Sequence, residues 1–395
     1  MVKLMRIGYL HIGAPQHGIY RYGRLLAAEA RSRSSLEVIE AAVTLTGSRS
    51  QDRSALIQAA KTLSQADVIH FQYNRAIWGE SWKQLRHLTV FLNHCSRPLI
   101  VTLHDIFYPP SSTTLFQQYR SNPSSVKITD LTRAMLRDQL SPNILALQKV
   151  IERSQIALVC TQEEARRLSD RVQGSKVQII PHFVEARTPQ MSRTEARKAL
   201  ELEEFTVITL LGFIYSGKGH QLLIQALPHL PAQVKLVFAG GVSSGHEEYF
   251  QDLMRLAEKE GVSDRIRVTG YLSEEELERY LLATDLAICP FRQTSASGSL
   301  STWISVARPI LASNIPQVQE YNQLQPGAIS TFEPYTSGAI RAAIQQHLTL
   351  LQPDSNAEAL KLSQQLHISK IFDRHLLHYQ TSSSKNQPIQ HSISL

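Results

Sequence analysis

Residues 205–240, FTVITLLGFIYSGKGHQLLIQALPHLPAQVKLVFAG, hold the pattern on which the fold turns. An apolar run, FTVITLLG (205–212), leads into a glycine-rich turn, an amphipathic segment near 218–229, and a second apolar run, VKLVFAG (234–240). Short continuous apolar runs around a segment of helical spacing predict two parallel strands joined by a crossover helix and buried on both faces.

The same alternation extends in both directions. Downstream, IRVTG (266–270), DLAICP (285–290), RPILAS (308–313) and AISTF (328–332) predict strands, with helices near 247–260, 273–283, 298–307 and 335–351. Upstream, MRIGYLHI (5–12), LEVIEAAVTLT (36–46), DVIHFQ (67–72), PLIVTLHD (98–105), IALVCT (156–161) and VQIIP (177–181) do the same, with helices near 19–32, 52–65, 80–95, 131–153 and 162–171. The polar stretch EARTPQMSRTE (185–195) interrupts the pattern, so the expectation is two doubly wound α/β domains, residues 1–186 and 187–356. An amphipathic stretch at 357–380 predicts one helix, expected to pack back on the first domain, and the aperiodic tail 381–395 is expected to be disordered.

A chain of 395 residues exceeds one ordinary core, and 43% hydrophobic with 19% charged residues is the balance of a globular protein. No apolar run reaches the ~18 residues that span a bilayer, and MVKLMRIGYLHIG lacks a secretory pattern, so a cytoplasmic location is expected. Cys95, Cys160 and Cys289 are far apart in apolar segments and read as reduced core residues; neither they nor the 15 scattered histidines show metal-ligand spacing. Residues 1–185 carry 23 Lys+Arg against 14 Asp+Glu, a surplus of nine, whereas 186–395 carry 18 against 20. The basic first half suits an anionic partner, a nucleic acid or a membrane surface, although no Lys/Arg run is present.

In open α/β sheets ligands bind beyond the carboxyl ends of the strands, which singles out the strand-to-helix loops. Gly212 to Gly219 nearly matches the phosphate-cradling loop, but Gly219 stands where a Ser or Thr would ligate magnesium, which weighs against a P-loop NTPase. Gly217 and Lys218 still suit a diphosphate. In TSASGSLSTWIS (294–305), Ser297, Gly298 and Ser299 open a helix whose backbone N–H groups can face an anion, or simply cap it. After the first strand, the spacing of Gly13 and Gly18 does not fit the dinucleotide fingerprint, which argues against a nicotinamide enzyme; Gly18 would let a ligand approach the backbone, and Arg21 is a site residue or a surface charge. His104 and Asp105 end a strand where a polar pair has no packing purpose, His70 and Gln72 do so less clearly, and His182 lies near the domain crossover.

Taken in order, GxxRY, TLHD, IIPHFVE, GFIYSGKG, VKLVFAGG, VTGYLSEEELERYLLATDLAICPF and RPILASNIP resemble glycosyltransferase family four over about residues 5–380, most strongly over 205–320. The resemblance implies the GT-B architecture, two Rossmann-like domains facing across a cleft, and retaining transfer of a hexosyl-type sugar from a nucleoside-diphosphate sugar to a glycan or lipid-linked hydroxyl. It implies no cofactor and no metal. Lys218 matches the diphosphate lysine, His104 the histidine near the reacting sugar, and Gly18 the N-terminal loop glycine. Tyr271 and Leu272 match the loop at the base, and Ser297, Gly298, Ser299 and Thr302 the donor's sugar and phosphates. Arg21, His70, Gln72, Asp105 and His182 are left for the acceptor or the cleft. The basic first half then suits peripheral attachment to the inner face of an anionic membrane, in cell-surface polysaccharide or glycolipid synthesis, and not nucleic acid.

Two departures stand out. Phe213 occupies the position of an expected arginine, and Thr294 and Thr302 occupy those of two glutamates, so both acids are missing. A threonine hydroxyl can bond a sugar but brings no charge. The chain therefore reads as a variant active transferase, with a degenerate GT-B protein that binds nucleotide-sugar or glycan, or partners an active enzyme, as the alternative. A GT-B sugar-nucleotide epimerase is a more distant third.

Overall fold

The computed structural model describes residues 4–75, 77–104, 106–122, 125–169, 176–294, 296–350 and 355–384. It divides into two compact units, Met1–Pro181 with Ile368–Leu395, and His182–His367. Unit 1 contains β1 (Met5–Ile12), α1 (Gly18–Arg31), β2 (Leu36–Val43), α2 (Arg49–Leu63), β3 (Val68–Tyr73), α3 (Ser81–His94), β4 (Leu99–Leu103), α4 (Ser112–Ser121), α5 (Ile128–Leu140), α6 (Pro142–Arg153), β5 (Ile156–Val159), α7 (Gln162–Ser169) and β6 (Val177–Ile179). Unit 2 contains α8 (Arg193–Ala199), β7 (Thr206–Leu211), α9 (His220–Ala226), β8 (Val234–Ala239), α10 (Glu247–Lys259), β9 (Ile266–Val268), α11 (Glu274–Ala283), β10 (Leu286–Cys289), α12 (Gly298–Ser305), β11 (Ile310–Ser313), α13 (Pro316–Leu324), β12 (Ser330–Phe332), α14 (Ser337–Thr349) and α15 (Ala357–Gln365). The last helix, α16 (Ile368–Ser384), belongs to unit 1.

Each unit is built on a six-stranded parallel sheet, ordered β2-β1-β3-β4-β5-β6 in the first and β12-β11-β10-β7-β8-β9 in the second. Every residue of β3, β4 and β10 is buried, as expected of strands covered on both faces. The strand order reverses between β1 and β3 in unit 1 and between β7 and β10 in unit 2. These reversals are where an open α/β sheet leaves a crevice beyond its strand ends.

Local chemistry sets the helix limits. Ser192 with Glu195 and Ser273 with Glu276 form capping boxes at α8 and α11, and Pro142 and Pro316 open α6 and α13 where no N–H is needed. The single helix expected over 131–153 is two, because Ser141 is extended ahead of Pro142. Helices α4, α8 and α13 have no counterpart in the sequence reading. The helix expected over 357–380 also breaks, since the Leu366 carbonyl accepts the Val184 N–H at 2.7 Å and His367 bridges Val184. Thus α15 stays with unit 2 and α16 with unit 1. Of the tail expected to be disordered, residues 381–384 continue α16, and 385–395 lie outside the described residues. No helix among the described residues is long and apolar enough to cross a membrane.

A buried polar chain fastens α16 to the sheet of unit 1. Tyr9 donates its hydroxyl to Tyr379 Oη at 3.2 Å, and Tyr379 donates to His70 Nδ1 at 2.7 Å. His70 Nε2 in turn donates to Thr102 Oγ1 at 2.8 Å. Burial, with His375 next, holds His70 well below the ordinary histidine range, so the ring stays neutral, as this pattern of one accepting and one donating nitrogen requires. Tyr379→Phe leaves His70 Nδ1 and the Tyr9 hydroxyl unmet, and should cost about 1–3 kcal/mol in urea unfolding. A change under about 0.5 kcal/mol would show the chain to be ornamental.

Candidate functional site

In unit 2 the loops after β7 and β10 flank the reversal point. Gly212, Gly217 and Gly219 take left-handed φ of 102°, 95° and 92°. These turns carry Lys218 back toward the strand end: a Cβ on Gly212 would lie 2.4 Å from Lys218 Nζ and 2.8 Å from Ser299 Oγ. Gly219 is required for a second reason. A Cβ there would sit 2.2 Å from the Pro290 carbonyl oxygen, so the hydroxyl-bearing residue of a nucleotide-binding P-loop has no room in this fold.

Lys218 is only 4% exposed. Its Nζ stands 3.5 Å from Ser299 Oγ, and 5.6 and 5.9 Å from the ring centroids of Tyr215 and Phe291, within cation–π range. Among the described residues no carboxylate pairs with it, and burial lowers its pKa from 10.5 to about 8, slightly offset by Cys289. The Cys289 thiol is pushed up to about 12 by its own burial. A buried ammonium without a counter-ion, beside a helix start, is arranged for an anion.

The helix start divides its labour. Ser297 Oγ accepts the Leu300 N–H at 3.1 Å, so its side chain is the cap. Gly298 has open space where a Cβ would point, which lets a ligand approach the backbone, and Ser299 faces Lys218. Thr302 donates its hydroxyl to the Gly298 carbonyl at 2.9 Å, a bond within its own helix. Gly217 receives the Arg292 N–H at 2.9 Å on its carbonyl, joining the two loops. Tyr271 is 65% exposed, whereas Leu272 packs against the cluster that holds Val237 and Tyr280; Phe213 is exposed. His182 belongs to unit 2, where its Nδ1 donates to the Phe183 carbonyl at 2.8 Å and lies 3.0 Å from Ser301 Oγ on α12. Burial pushes it down to about 4.

In unit 1, Gly18 opens α1 with nothing within 4 Å of where a Cβ would be, and the His17 ring accepts the Ile19 N–H at 3.2 Å. Arg21 is half-buried one turn on. His104 is buried at the end of β4, donates from Nε2 to Gln72 Oε1 at 2.8 Å, and meets the Tyr22 ring edge-on at 5.0 Å. Gln72 thus positions His104, and His70, with both nitrogens engaged, is part of the α16 anchor and not free for a ligand. Asp105 lies outside the described residues. The sequence reading missed Tyr215, Phe291 and Pro290 around Lys218, and Tyr22 beside His104. Only spatial neighbourhood identifies them. Among the described residues no group of three or more His, Cys, Asp or Glu is placed to hold a metal ion.

Residues 192–357 match the family described as Glycosyl transferases group 1. A D-inositol 3-phosphate glycosyltransferase of Xylanimonas cellulosilytica is 30% identical over 163 residues, 38% of this chain and 39% of that protein, so the match spans about two fifths of the relative's length. The chain superposes on Anabaena HepE in complex with UDP and glucose, with a TM-score of 0.68 and 16% identity, covering 95% of this chain and 100% of the other. It also superposes on sucrose-phosphate synthase of Thermosynechococcus elongatus, with a TM-score of 0.70 and 15% identity over 97% and 100% of the two chains. At these identities the structural likeness establishes the fold.

Proposed function

From a chain of GT-B fold whose second unit carries a glycosyl transferases group 1 domain, we propose a retaining glycosyltransferase that moves a hexosyl-type sugar from a nucleoside-diphosphate sugar to a hydroxyl of a glycan or lipid-linked acceptor. The observation that carries this is Lys218, a buried ammonium with no carboxylate partner among the described residues, between two glycine- and serine-rich loops. In the reaction the bond from the sugar's anomeric carbon to the diphosphate breaks, and the diphosphate leaves with the electron pair. The acceptor oxygen makes the new bond on the same face and gives up its proton to an oxygen of the departing diphosphate. Lys218 and the N–H groups that open α12 meet the charge gathering on the departing diphosphate, with no metal required. Small residues at 297–299 allow the phosphates to reach those N–H groups. Unit 1 serves the acceptor, with His104 held by Gln72 to bond a sugar or acceptor hydroxyl.

The acceptor is lipid-borne in this reading, and the protein attaches to an anionic membrane surface from the cytoplasmic side during cell-surface polysaccharide or glycolipid synthesis. Supporting it, α4 and α5 expose Phe116, Ile128, Met135, Leu136 and Leu140 among Arg120, Lys127, Arg133 and Arg137. Binding to vesicles should therefore rise with anionic lipid and fall with salt. Binding indifferent to both would remove the membrane from the proposal.

One observation favours a second reading, a degenerate protein that binds nucleotide-sugar without transfer: the Thr302 hydroxyl, at the site of a missing acid, is spent on Gly298. A panel of nucleoside-diphosphate sugars separates the two. Release of nucleoside diphosphate from at least one donor is expected, whereas tight nucleotide binding with no hydrolysis or transfer would select the degenerate reading.

A further inference from the structure

The first turns of α2 and α3 begin beyond the carboxyl ends of β2 and β3, on the loop-bearing end of the unit 1 sheet. Between the start of α2 and the middle of α3 lies a cavity of about 220 Å³ lined by Arg49, Arg53, Arg86, His87 and Val90. At ~30 Å³ per water this holds roughly seven waters, enough for a phosphoryl group and the ester carbon attached to it.

The lining carries three guanidinium groups. Among the described residues none of the three guanidinium groups makes an ion pair or hydrogen bond. Arg49 and Arg53 stand four apart on one helix, a like-charge spacing that itself destabilises α2 slightly. The nearby acid, Asp52, is buried and committed inward. Its Oδ1 accepts the Thr46 N–H at 2.8 Å and the Thr46 hydroxyl at 3.0 Å, and its Oδ2 accepts the Gly47 N–H at 3.1 Å. His87 is 4% exposed, with Nδ1 donating to the Trp78 carbonyl at 2.9 Å. Its Nε2 makes no hydrogen bond but stands 3.5 Å from Asp52 Oδ2, within ion-pair distance of that carboxylate. Three guanidinium groups that have no ion-pair partner among the described residues, gathered around one cavity, make an anion receptor. Guanidinium forks match the paired oxygens of a phosphoryl group, and three of them exceed what one carboxylate neutralises.

We propose that this cavity binds a phosphoryl group, as a second anion site independent of Lys218 and of the transferase reading. The group is carried either by a small molecule or by a phosphomonoester lipid headgroup.

The test uses the full chain with Lys218→Met in the background, which removes the other anion site. Inorganic phosphate is titrated calorimetrically at low ionic strength into this protein and into versions that add Arg86→Gln or Arg49→Gln with Arg53→Gln. Circular dichroism and melting confirm that each remains folded. Vesicles of phosphatidylcholine with phosphatidic acid are compared with vesicles of equal charge made with phosphatidylglycerol. The expected result is a tenfold or greater loss of phosphate affinity in each arginine variant, which assigns the site to small phosphorylated ligands. Loss of a preference for phosphatidic acid over phosphatidylglycerol in the same variants assigns it to the headgroup. Phosphate binding and vesicle preference that are both absent, or both indifferent to the arginines, would overturn the proposal, as would a folded variant that binds phosphate unchanged.

Discussion

Lys218→Met should leave a folded protein that binds nucleoside diphosphates about 10²–10³-fold more weakly, a loss of about 3–4 kcal/mol at 1.4 kcal/mol per tenfold. The wild-type ammonium is already desolvated, so an arriving diphosphate recovers an interaction for which the cost has been met in folding. Stability should move the other way. A lysine with a folded pKa of about 8 against 10.5 unfolded is penalised while both states hold the proton, by about 3 kcal/mol below pH 8. As pH rises through 8 the folded state releases its proton first, so the penalty shrinks and is gone above 10.5. The methionine protein should therefore unfold at higher urea than wild type at pH 7, with the gap closing as pH is raised. Nucleotide affinity of wild type should be level below pH 8 and fall by up to tenfold per unit above it, a slope missing from the variant. Equal affinity in the two proteins, measured calorimetrically at pH 7, would take Lys218 out of the site.

Gly219→Ala should be the most damaging single methyl in unit 2. The residue has φ +92°, which costs an L-residue about 1–2 kcal/mol, and the added carbon would stand 2.2 Å from the Pro290 carbonyl oxygen. Backbone cannot step aside as a side-chain tip can, so the loop leading from β10 to α12 must move. About 3 kcal/mol or more is expected, a fall in Tm of roughly 6–12 °C together with loss of nucleotide binding. Gly217→Ala is the control: its φ of +95° is equally left-handed, but nothing lies within 4 Å of the new carbon, so only the backbone cost of about 1–2 kcal/mol applies. Closely matched melting of the two variants would show that the Pro290 contact is not what requires glycine at 219.

The alternation around GFIYSGKG was enough to read two parallel sheets, because strands buried on both faces must be continuously apolar. The same stretch singled out Lys218 as a candidate, since a lysine after paired glycines at a strand end has few packing uses. Less legible was the division of duties among neighbouring serines. Ser297 and Ser299 look alike in a list, and only the helix geometry makes one the cap and the other the neighbour of Lys218. His70 illustrates the harder failure. It ends a strand as His104 does, yet Tyr379, 309 positions away, takes one of its nitrogens. No local pattern announces such a partner. The break at Leu366–His367 was hidden for the same reason, because amphipathic spacing continues across it while the carbonyl that ends the helix is claimed by Val184.

That pairing has a consequence for how the gene can be cut. The chain leaves the first unit after Pro181 and re-enters it at Ile368, and the intervening segment has its two ends laced together where Val184 meets Leu366 and His367. Unit 2 is thus a cassette with adjoining ends, spliced into a host that is completed only when α16 returns. Excising residues 182–367 takes away one self-contained sheet with its ends already together, whereas truncating the protein before Ile368 removes a wall of the other.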